Sequence, residues 1–209
     1  MLKKVSRVSS LEKPAISIYN ALKLNRKKKR SYMRLYHTSD REIKHPDIYR
    51  GRKNADFGQG FYLTPDREFA YRWAGRNVIV NCYDFDETGL YIHRFERSLD
   101  WFTYIYNNWR LRDGLEADAV IGPIANDTIF DTIGIISSGF LAPEEALALL
   151  MIGPAYIQVA LRTEKAISRL TWLSAETITG QGEEKRRREQ QAYQEAFAKK
   201  MESLGVAED

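Results

Sequence analysis

Apolar and polar positions change period several times along this 209-residue chain, and each change marks a new element. Residues 33–38, Met33-Arg34-Leu35-Tyr36-His37-Thr38, alternate and predict a first strand. A polar loop through Asp47 and Arg52 ends in Asp56-Phe57-Gly58, where Gly58 and Gly60 let the backbone turn sharply into a strand at Phe61-Tyr62-Leu63. Thr64-Pro65-Asp66 then predicts a helix start, with Thr64 as N-cap, proline in the first helical position and an acid in the first turn. Phe69, Ala70, Trp73 and Ala74 give that helix its apolar face.

The pattern continues with a β-prone run from Val78 to Phe85 and an aromatic helix from Ser98 to Arg112, on which Trp101, Ile105, Trp109 and Arg112 recur at helical spacing. Asp118 to Pro123 is a short strand closed by its own glycine and proline, and Ala142 to Met151 is a helix opened by Pro143, Glu144 and Glu145. From Tyr156 to Arg162 the alternation is clean, Ile157, Val159 and Leu161 on one face and Tyr156, Gln158, Ala160 and Arg162 on the other. Thr163-Glu164-Lys165-Ala166 begins a short helix, Thr171 to Ile178 forms a last strand, and Gly180 and Gly182 mark a linker. Beyond it Glu183 to Leu204 is a charged helix with Tyr193, Phe197 and Met201 on one stripe, expected to pack on its own domain rather than on a partner. Strands and helices of irregular length, with no glycine-rich dinucleotide turn, predict an α+β fold with mixed or antiparallel sheets rather than a Rossmann fold.

Charge alters this picture by dividing the chain. The formal net charge of +4 conceals a basic arm, residues 1–34, with 11 Lys or Arg against one acid, and a body with 21 basic against 27 acidic residues, or −6. The arm suits nucleic acid, an acidic lipid surface or an acidic partner. Because Met33 immediately precedes the first strand, it is a candidate alternative start. The expected division is a basic extension over 1–32, a folded domain over 33–180 and a charged helical tail over 181–209.

The remaining composition narrows the chemistry. With 44% hydrophobic and 12% aromatic residues the chain can bury a core without cross-links. The single cysteine, Cys82, excludes an internal disulfide and a cysteine-based zinc site, and is expected to be a buried spectator in a reducing compartment. Three histidines, His37, His45 and His93, lack metal-ligand spacing, so no metal is expected. No apolar run reaches the roughly 18 residues of a membrane span, and a cytoplasmic location is expected.

Two strands carry unusual residues for buried positions, His37 in Leu35-Tyr36-His37-Thr38-Ser39 and Tyr62 in Asp56-Phe57-Gly58-Gln59-Gly60-Phe61-Tyr62-Leu63-Thr64. Together with Ala70 and Trp73-Ala74, Gly122-Pro123-Ile124-Ala125-Asn126-Asp127, and Gln158 with Thr163-Glu164-Lys165-Ala166, they occur in the order of a bacterial family. From about Arg34 to Leu170 the chain resembles a domain-of-unknown-function family grouped with the ADP-ribosyltransferases and often encoded beside small partner proteins in the manner of toxin systems.

The resemblance implies a split sandwich of two small sheets with NAD in the cleft and no metal. His37 would bond the ribose and Tyr62 would stack on the nicotinamide ring. Thr38, Asp56, Gly60, Phe61 and Asn126 would complete the NAD site, and Asp127 would join His37, Tyr62 and Gln158 in catalysis. The expected activity is transfer of ADP-ribose to a macromolecular acceptor by a toxin or effector, with a small antitoxin as partner; the alternatives are NAD hydrolysis and a non-catalytic NAD-binding domain. At the third motif position Gln158 replaces the glutamate of the best-known transferases, and an amide can bond a hydroxyl but cannot take a proton at neutral pH. Either the acceptor needs no base, or Asp127, Glu164 or Asp56 supplies one, or NAD is bound without efficient transfer.

Overall fold

Seven strands and five α-helices are formed by the residues that the computed structural model describes, 32–73, 76–125, 141–179 and 183–205. The first sheet has the order β1-β3-β7, built from β1 (Tyr32–Ser39), β3 (Arg76–Asp86) and β7 (Leu170–Thr179), all antiparallel. The second has the order β2-β6-β5-β4, from β2 (Phe61–Leu63), β6 (Ile157–Leu161), β5 (Ala119–Pro123) and β4 (Ile92–Arg94). Only β4 and β5 run parallel; β2 and β5 are antiparallel to β6. This is an α+β split sandwich of two small sheets.

Side-chain alternation assigns each strand face to a layer. Leu35, Tyr83 and Phe85 from the first sheet meet Leu63, Ala119, Val159 and Leu161 from the second, and all are buried. Each of the leucine, valine and phenylalanine side chains among them contributes about 1.5–3 kcal/mol when removed from water. On the outer face of the first sheet, Val80 and Ile178 pack with Ala70 of α1 (Arg67–Trp73). On the outer face of the second, Val120 and Ala160 pack with Phe57 and with Trp101 and Ile105 of α2 (Leu99–Trp109). The layers therefore run α1, first sheet, second sheet, α2.

Polar anchors fix the loops between layers. Buried Asn81 accepts from the Ile43 N–H and the Trp172 indole and donates to the Arg41 carbonyl, while the Tyr83 hydroxyl donates to the Ile43 carbonyl at 2.6 Å. These bonds hold the segment after β1 against the sandwich and satisfy polar groups that burial would otherwise leave costly. Residues 48–50 of the following loop form one turn of 3-10 helix.

Three local expectations change. The first helix is capped by Asp66, whose Oδ1 accepts from the Phe69 N–H; Thr64 is buried instead, donating to the Ile157 carbonyl and accepting from the Asp66 N–H. The proline therefore lies in the turn before the helix. The aromatic helix stops at Trp109, since Leu111 takes a left-handed φ of 58°, so Arg112 lies outside it and Asn108 occupies the buried stripe. Cys82 is half-buried at a β-bulge, with the Arg34 guanidinium over its sulfur, rather than enclosed in the core.

Helix α3 (Pro143–Leu150), helix α4 (Glu164–Ile167) and helix α5 (Glu183–Ser203) fall where the sequence places them. The tail helix α5 packs Phe197 and Met201 against Leu141 and Leu149, joined by Leu204 in the turn that follows it. No helix among the described residues is long and apolar enough to cross a membrane.

Candidate functional site

The two sheets are joined at one seam. Tyr36 in β1 and Thr64 just beyond β2 exchange backbone hydrogen bonds of 2.8 and 2.9 Å. Beside that seam lies a cavity of about 480 Å³, walled by β1, β2, β6, α1, α2 and the 52–56 loop. His37, Thr38, Asp56, Tyr62 and Gln158 all line it.

His37 reaches across the seam. Its Nδ1–H donates to the Tyr62 carbonyl at 2.6 Å, and its ring lies 4.4 Å from that of Phe61. A carbonyl can only accept, so this bond fixes the proton on Nδ1 and leaves Nε2 as an acceptor. Burial lowers the pKa, against the opposing effect of the Tyr62 carbonyl, and keeps the ring neutral at pH 7.

Tyr62 is held at its far end. Its hydroxyl donates to the Gly58 carbonyl at 2.6 Å and accepts from the Phe57 N–H at 3.0 Å. Burial pushes its pKa far above the ordinary tyrosine value, so the phenol stays protonated. The ring thus serves as a fixed wall and not as an acid or base. Thr38 is committed as well, its hydroxyl donating to the Ala70 carbonyl at 2.7 Å and tying β1 to α1.

Asp56 and Gln158 form one unit. The Gln158 side-chain amide donates to Asp56 Oδ2 at 2.8 Å; the same oxygen accepts from the Ala125 N–H at 3.0 Å, and Oδ1 accepts from the Trp109 indole at 3.2 Å. The Asp56 carbonyl is held by the Asn108 side chain at 2.9 Å. Burial raises the Asp56 pKa; the three donors and the charge of Arg52 act in the opposite direction. Because the Gln158 nitrogen faces Asp56, its Oε1 is the acceptor that the amide can offer to another molecule.

Several anticipated residues stand apart. Gly60 and Phe61 line a second cleft, of about 800 Å³, that shares His37 and Tyr62 with the first. A Cβ on Gly60 would lie 2.6 Å from the Leu161 carbonyl of β6, so the close strand pairing itself demands glycine. Glu164 is exposed in the first turn of α4 and does not line the cavity. Asn126 and Asp127 lie outside the described residues.

Residues 33–172 match the family described as protein of unknown function DUF3990. The chain belongs to that family. No curated protein and no solved structure matches the chain significantly. The DUF3990 span holds every cavity residue named above, and it also holds residues that pattern reading passed over. Asn108 and Trp109 clamp Asp56 from α2, and Tyr36 and Phe69 contribute aromatic walls. The legible signal for the clamp was Asn108, an amide on the stripe of Trp101 and Ile105 where only apolar residues pack without a partner.

Proposed function

We propose that the cavity binds NAD and that the protein transfers ADP-ribose to a macromolecular acceptor, as a toxin or effector of the ADP-ribosyltransferase type. The observation that carries this reading is the convergence of His37 from β1, Tyr62 from β2 and Gln158 from β6 on one cavity beside the seam of the two sheets. Its volume, about 480 Å³, falls within the range of small-molecule sites.

NAD supplies a bond between a cationic nicotinamide ring and ribose C1, whose cleavage releases the ring neutral and therefore needs no general acid. The chain's own groups match the remaining requirements. His37 offers Nε2 to a ribose hydroxyl, and Gln158 offers Oε1 to a second one. The Tyr62 ring provides a face for stacking, held in place by the Phe57 and Gly58 backbone. Asp56 is the only carboxylate among the described residues lining the cavity and takes the proton-accepting role that Gln158 cannot fill. Preformed polar contacts of this kind favour the charge that develops at the ribose without reorganising.

Incubating the purified protein with labelled NAD and a cell lysate tests the reading. Label joined to a lysate macromolecule is the expected result. Free ADP-ribose alone would make the protein a glycohydrolase, and no turnover at saturating NAD would leave only a binding role.

A further inference from the structure

Asp56 combines three properties that together specify a ligand. It lines the cavity, all three side-chain hydrogen bonds that it accepts come from neutral donors, and no described cation pairs with it. Arg52, the one permanently charged cation among the described cavity residues, is exposed, and its charge favours the ionised carboxylate without forming an ion pair with it. His37 is neutral. A half-buried carboxylate with no ion-pair partner is less favourable than a paired one even when hydrogen-bonded, and the raised Asp56 pKa is consistent with that.

The walls around it are aromatic. Tyr36, Tyr62, Phe69 and Trp109 contribute to the cavity, and the Trp109 indole N–H is bonded to the carboxylate itself. A flat ring bearing positive charge satisfies both features, by stacking on aromatic faces and by supplying the missing counter-charge. A neutral ring of the same shape satisfies only the first.

We infer that the cavity selects a cationic heteroaromatic ring, with Asp56 as its counter-ion. Resting on the NAD reading, this makes the oxidised dinucleotide the preferred form, since its pyridinium is charged while the reduced dihydropyridine is neutral. It also gives the site a means of release, because a nicotinamide freed from ribose no longer carries the charge that Asp56 holds.

The test is calorimetric titration of the full chain with two pairs of probes, NAD against its reduced form, and 1-methylnicotinamide, a permanent cation, against neutral nicotinamide. The charged member of each pair should bind at least about tenfold more tightly. In Asp56→Asn that preference should fall to about unity. Equal affinities within both pairs for the wild-type protein, a comparison that needs no variant to fold, would overturn the inference and leave the NAD reading standing. Preference for 1-methylnicotinamide with no binding of either dinucleotide would uphold the inference and remove the NAD reading. Failure of all four probes to bind would remove both.

Discussion

Gln158 and Asp56, 102 positions apart in the chain, share a hydrogen bond of 2.8 Å from amide to carboxylate. The bond settles which end of the amide is nitrogen and commits Gln158 to act as an acceptor towards anything else in the cavity. It also makes a carboxylate at position 158 a poor neighbour. In Gln158→Glu two carboxylates would share a site made for one, and one of them would retain its proton. The variant should be destabilised by about 1–3 kcal/mol at neutral pH and recover towards acid pH. Urea midpoints at about pH 5 and about pH 8 check this. A variant as stable as wild type at both would contradict the pairing.

Asp56 itself should leave a mark on acid stability. Its folded pKa is raised above the ordinary value of 3.8, chiefly by burial, so the native state binds its proton more tightly than the unfolded chain. The stabilisation from this group is fully present below 3.8 and is lost as pH rises through the folded value. Asp56→Asn has no such loss. Its stability relative to wild type should therefore increase as pH rises from 3.8 through the folded value, and a difference independent of pH would refute the shift.

The Tyr62 hydroxyl should matter to folding apart from any ligand. Tyr62→Phe leaves the Gly58 carbonyl and the Phe57 N–H without their partner and should cost about 1–2 kcal/mol. Tyr62→Ala should cost more, because the ring packs beside Phe57 and Ala160. Chemical denaturation of the three proteins gives the ranking directly, and Tyr62→Phe is the better variant for binding studies since it keeps the ring.

Gly60 should tolerate no side chain. Gly60→Ala places a methyl 2.6 Å from the Leu161 carbonyl and must push β2 away from β6, at about 1–3 kcal/mol. Hydrogen exchange at residues 61–63 should accelerate in the variant. Unchanged exchange there would mean that the strands part elsewhere or adjust without cost.

The tail helix should loosen independently of the sandwich. Phe197→Ala removes the aromatic contact with Leu141 and Leu149 and should raise exchange along α5 while leaving β3 and β6 protected.

Much of this fold was legible because strands and helices announce themselves by period. The Tyr156–Arg162 alternation correctly sent Val159 and Leu161 inward between the sheets and Gln158 to the opposite face. His37 and Tyr62 stood out as polar or aromatic residues in short strands, and they do line one cavity. What escaped was whatever depended on partners far along the chain. β4 is only three residues long and exists through its parallel pairing with β5. Thr64 carries the local signature of a cap, yet a bond to Ile157, 93 positions away, claims its hydroxyl. The Asp56 cluster draws on α2, β6 and the residues after β5, and no local pattern encodes that convergence.

The seam at Tyr36 and Thr64 sets a rule for how this protein tolerates change. A cavity bordered by two sheets that, among the described residues, exchange one pair of backbone bonds takes its width from the angle between them. Substitutions in the shared core, at Tyr83 or Val159 for example, should therefore register as altered ligand affinity before they register as unfolding. Affinity is the more sensitive gauge of the core.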